Sequence, residues 1–136
     1  MQAEGDAMPA MKLDAVSVTA TDFKTTVRFY ALLGFVFPAF EPEAKHLEAI
    51  TAAGEVRLLI DDRQAMKNLT GKDPAPATHS YFAMKCESPA QVDAAVAAIR
   101  EAGFAIVREP WDAFWGQRYA VVADPDGYLS DIFAPL

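Results

Sequence analysis

Few side chains in these 136 residues are equipped for chemistry, and most lie in the C-terminal half. Asp131 falls inside an apolar run, Leu129–Phe133, where a carboxylate is costly unless it faces water, a partner or a ligand. Arg118 could pair with Asp131 or another carboxylate, bind a ligand's acid group, or simply be surface charge. Tyr119 alternates with Arg118, so only one of the two can point inward. Trp111, Phe114 and Trp115 each read most simply as packing. Together they suffice for a platform on which a planar molecule stacks. Histidine is the residue type suited to general-base work near neutral pH, so His79 is a candidate base, with Tyr81 on the same face of its strand. The residues therefore offer two chemistries: aromatic stacking beside a carboxylate, or acid–base work by Asp131 and His79.

The elements that must position these groups can be read in order. The tetrad Asp124-Pro125-Asp126-Gly127 is a turn between two β-patterned runs, Pro125 fixing φ and Gly127 supplying a positive φ. Upstream, Leu13–Ala20 alternates as a strand. Asp22 caps a helix carrying Phe23, Val27, Tyr30 and Leu33, which ends at Gly34. Phe35–Phe37, His46–Thr51 and Val56–Ile60 read as further strands, and residues 61 to 78 as a polar linker or loop with at most one helical turn. Ser80–Cys86 begins the pattern again. Ser88, Pro89 and Gln91 start a second helix with Val92, Ala95, Val96 and Ile99 as its buried stripe. Phe104–Val107 follows as a strand, Pro110–Trp115 as a loop, and the hairpin closes the chain.

Both halves thus read βαβββ, with Gly34-Phe35 and Gly103-Phe104 at equivalent places. The expected organisation is a leader at 1–10, a first module at 11–61, a linker at 62–78 and a second module at 79–136, forming one α+β domain. A module alone cannot bury both faces of a helix-backed sheet. The modules must pair within or between chains, which favours a homodimer.

Composition narrows the partners. A net charge of −7 excludes the basic patch that nucleic acid requires and suits a cationic ligand. No apolar run approaches the roughly 20 residues of a membrane span, and residues 1–10 lack the basic start and apolar stretch of a signal peptide. The single cysteine, Cys86, fits a reducing cytoplasm and a buried position.

The stretches Thr21–Phe23, Phe29–Phe35, Val92–Ala94, Ala102–Phe104 and Asp124–Gly127 together resemble the vicinal oxygen chelate superfamily of glyoxalases, bleomycin-resistance proteins and extradiol dioxygenases. The resemblance implies two βαβββ modules curling an eight-stranded mixed sheet around a cavity, helices outside, with the Trp111–Trp115 loop at the cavity mouth. It also implies a divalent metal in catalytic members, held from the first and last strand of each module. Carried over, those positions fall on Ala15, Leu58, a register-dependent choice among His79, Ser80 and Tyr81, and Asp131. Ala15 and Leu58 cannot ligate, and His79 with Asp131 alone is a poor metal site. The expectation is a bleomycin-resistance-like protein without a cofactor. It would bind a small planar or cationic molecule through Trp111, Phe114, Trp115, Arg118, Tyr81 and Asp131. The alternative is an enzyme with a divergent metal or acid–base site.

Overall fold

The computed structural model describes residues 12–76 and 82–136, so the expectations placed on residues 1–10, His79 and Tyr81 lie outside the described residues. The chain is α+β. Its first module contributes strand β1 (Ala15–Ala20), helix α1 (Phe23–Leu32), β2 (His46–Glu48) and β3 (Arg57–Asp62). After helix α2 (Arg63–Thr70), the second contributes β4 (Phe82–Lys85), α3 (Pro89–Glu101), β5 (Ala105–Ala113), β6 (Gln117–Ala123) and β7 (Leu129–Pro135). The two sheets are ordered β1-β3-β2 and β4-β7-β6-β5, with β1–β3 and β4–β7 the parallel pairs.

Among the described residues seven strands stand against the expected eight, because Phe35–Phe37 makes only a single bridge, Val36 to Ile50. Pro38 follows at once and has no N–H with which to extend a ladder. The expected linker is also more ordered than its composition suggests. Asp62 caps α2 by accepting from the Ala65 N–H at 3.0 Å, and Gly71 closes it with φ +82°.

The core lies between the sheets and the two long helices. From α3 it takes Val92, Val96 and Ile99, the stripe read from spacing. From α1 it takes Thr26, Phe29 and Tyr30, a stripe rotated from the expected one, with Phe23, Val27 and Leu33 at its margin. The modules meet where Phe29 sets its ring edge-on to Phe104, centroids 5.3 Å apart, while Arg28 lies over the same ring at 5.1 Å.

The Asp124–Gly127 turn fastens the modules together. Buried Asp124 accepts from the Asp126 and Tyr128 N–H groups (both 2.9 Å) and from the Tyr30 hydroxyl of α1 (2.8 Å). Asp126 accepts from the Thr21 hydroxyl at 2.6 Å and from the Thr21 N–H, just before α1. Gly127 has φ +94°, and a Cβ there would stand 3.3 Å from Pro76.

Candidate functional site

Strand alternation decides which groups can meet a ligand. In β6 and β7 the even-numbered residues Ala120, Val122, Ser130, Ile132 and Ala134 are buried toward the helices. Odd-numbered Tyr119, Val121, Asp131 and Phe133 therefore share the opposite, open face, where Val121 pairs with Asp131 and Tyr119 with Phe133. The Tyr119 hydroxyl donates to Asp131 Oδ1 at 2.8 Å across the diagonal of this pair. Partial burial raises the Asp131 pKa above the ordinary aspartate value, and the Tyr119 hydrogen bond works against that rise.

Arg118 takes the other side. Its guanidinium donates to Asp93 on α3 (3.0 Å) and to Asp112 (3.1 Å), which hold it more firmly protonated. It does not meet Asp131. Tyr119 is the inward member of the alternating pair, and Arg118 braces helix against sheet.

The aromatic residues are also placed differently from the expected loop. Trp111 belongs to β5 and pairs with Tyr119, while Phe114 and Trp115 occupy the tight β5–β6 turn closed by the Gly116 N–H on the Ala113 carbonyl. The rings form a chain of edge-to-face contacts. Trp111 and Trp115 have centroids 5.6 Å apart at 90°, and Trp115 and Tyr119 lie 5.1 Å apart at 78°. A flat molecule sandwiched between two rings needs parallel planes about 7 Å apart, twice a contact distance of roughly 3.5 Å. Trp111 and Trp115 therefore cannot flank a ligand between them; stacking must use an outer ring face. Trp115, 47% exposed and with its indole N–H on Gln117 Oε1, presents one. Phe114 is 90% exposed and covers only the rim.

Arg108 also belongs to this face, its guanidinium 4.2 Å from the Trp111 ring centroid. Strict alternation would put Arg108 and Trp111 on opposite faces, being three apart. The β5 ladder shifts register between them, so Arg108 faces Val121 while Trp111 faces Tyr119. Only Pro110 in the sequence hinted at that irregularity.

The open face of the first module is built differently. Ser17 pairs with Leu59, Ala15 with Arg57 and Thr19 with Asp61, whereas Leu58 is buried toward the helices. The expected ligand position at Leu58 is thus one residue out of register, and its open-face neighbour Leu59 is equally unable to ligate. Arg57 is paired with Glu48 and Asp14 at 2.6 Å, and His46 Nδ1 lies 2.7 Å from Asp61 Oδ1. His46 and Glu48 are therefore engaged with neighbours. Among the described residues no three His, Cys, Asp or Glu side chains converge on one point, and the donor set does not fit a divalent metal.

A hollow of about 420 Å³ lies at the seam of the modules, walled by Leu13, Val16, Val56, Leu58, Phe82 and Met84. Apart from Glu55 its lining is apolar, Phe35 and Phe82 among it, and it includes neither tryptophan; Asp131, Trp111 and Trp115 lie instead on or beside the open sheet face of the second module. No helix among the described residues is long and apolar enough to cross a membrane.

The family model of the Glyoxalase/Bleomycin resistance protein/Dioxygenase superfamily matches residues 12–132. No curated protein matches the chain. Among solved structures, a glyoxalase-related enzyme from Fulvimarina pelagi superposes with a TM-score of 0.78 at 18% identity, covering 92% of this chain and 88% of that one. A hypothetical protein from S. aureus gives 0.76 at 19%, covering 96% and 98%. A glyoxalase/bleomycin resistance protein/dioxygenase from Nocardioides gives 0.74 at 22%, covering 98% and 89%. At these identities the likeness is one of fold.

Proposed function

The chain belongs to the Glyoxalase/Bleomycin resistance protein/Dioxygenase superfamily, and from its open face we propose that it binds a small planar molecule bearing a positive charge, without a metal. The observation that carries this reading is the half-buried Asp131 carboxylate, oriented by the Tyr119 hydroxyl, whose own ring lies edge-on to Trp115 and in register with Trp111. An aromatic face attracts a flat body and a cation alike, and a carboxylate drawn partly out of water strengthens the charge contact. The chain's net charge of −7 raises the local concentration of cations.

Benzylamine provides the test, read by tryptophan emission. We expect saturable quenching that survives chelator treatment. Trp115→Ala should weaken binding roughly tenfold, a ring contact being worth about 1 kcal/mol or more, yet leave the melting temperature nearly unchanged because the ring is half exposed. An early-melting Trp115→Ala that binds normally would make the ring structural and overturn the reading.

A second reading is acid–base turnover at Asp131, favoured by the burial that raises its pKa. Consumption of a bound compound, lost in Asp131→Asn, would establish it. The binding reading also takes the protein as a homodimer. Leu13, Val36, Ile50 and Val56 stay exposed around the seam, an apolar patch that a second copy would cover.

A further inference from the structure

Register places four residues in one row across the second sheet. Arg108 pairs with Val121, Val121 with Asp131, and Asp131 with Ala83, all on the open face. A cation and an anion thus stand two strands apart, a backbone separation of roughly 10 Å from a strand spacing of about 4.8 Å. Val121, itself buried, forms the floor between them. The adjacent row, Trp111, Tyr119 and Phe133, forms a wall along one side.

The two charges do not neutralise each other. Asp131 takes the Tyr119 hydroxyl, and Arg108 lies on the Trp111 ring with no carboxylate within ion-pair distance among the described residues. A guanidinium held over an indole has already lost much of the freedom it would lose on meeting a ligand, and it keeps N–H donors suited to a carboxylate or phosphate. Lys85 stands on the same face beyond Asp131, opposite Phe133, but no ring holds its flexible ammonium.

We propose that the ligand of this face is amphoteric: an anionic group on Arg108, a cationic amino group on Asp131, and a flat apolar body over Val121 against the aromatic wall. This inference rests on the binding reading above and adds the anionic end. A ligand with only a cation would leave Arg108 unanswered. One with both ends uses every charged group of the row.

Three probes separate the two ideas by tryptophan quenching: 4-(aminomethyl)benzoate, which has both groups, and benzylamine and 4-methylbenzoate, which have one each. The first should bind about fivefold or more tightly than either of the others, the scale of one partly exposed charge-assisted contact. Arg108→Gln should remove its advantage over benzylamine. Asp131→Asn should remove its advantage over 4-methylbenzoate. Equal affinities for 4-(aminomethyl)benzoate and benzylamine in the unaltered protein would overturn the amphoteric assignment and leave the cation-binding reading standing. Loss of the preference in Lys85→Gln but not in Arg108→Gln would overturn the assignment of the anionic group to Arg108. Failure of all three probes to quench would remove both.

Discussion

Asp131 shows how much a single position can carry. Its carboxylate is charged above a pKa that burial has raised and neutral below it. Affinity for a cation should therefore fall on acidification at a higher pH than the 3.8 of an ordinary aspartate. Tyr119→Phe removes the hydrogen bond that favours the charged form, so the midpoint should move further upward. Isothermal titration between pH 4 and 8 measures both midpoints; a midpoint unmoved by Tyr119→Phe would detach the hydroxyl from the site. The cost of a carboxylate in a strand made Asp131 readable in the sequence. Arg108 was not readable, since two register shifts in β5 carry it to the face that alternation denies it. Alternation also said that only one of Arg118 and Tyr119 faces inward without saying which, and the ion pairs to Asp93 and Asp112 decide it.

At the scale of elements, the turn from Asp124 to Gly127 was the clearest signal in the chain, and its role proves to be attachment between modules. Replacing Asp124 with alanine would leave the Tyr30 hydroxyl and two N–H donors without their acceptor in a buried place. The expected loss is about 2–4 kcal/mol by urea denaturation, against about 1 kcal/mol for Tyr30→Phe, which leaves the backbone bonds intact. Equal losses would mean that the Tyr30 bond alone accounts for the fastening. The helices were legible because caps and stops are local: Asp22, Ser88 and Pro89 act where spacing put them. The strand expected at Phe35–Phe37 failed because pairing is not local, and only Val36 finds a partner. Helix α2 was legible only as one helical turn around Ala65–Leu69, because a polar composition cannot distinguish a solvent-facing helix from a loop.

For the molecule as a whole, the βαβββ repeat and its α+β class follow from the order of patterns along the chain. The lie of the modules depends on contacts such as Phe29 with Phe104 that no spacing reveals. Light scattering at micromolar concentration should give the mass of two chains, and Ile50→Glu, placing a charge in the exposed apolar patch, should reduce it to one. A single-chain mass for the unaltered protein would refute the homodimer.

The first module's open face is closed off by its own charges: Arg57 is spent on Glu48 and Asp14, and His46 on Asp61. The two copies of the pattern are thus unequal, and the proposed binding falls to the second. Inheritance should weigh on them unequally too. Under the proposed binding, selection would leave Ser17 or Leu59 free to drift so long as the strand survives, whereas any change at Tyr119 or Asp131 would be tested at once. A repeat whose halves began alike would come to age at two speeds.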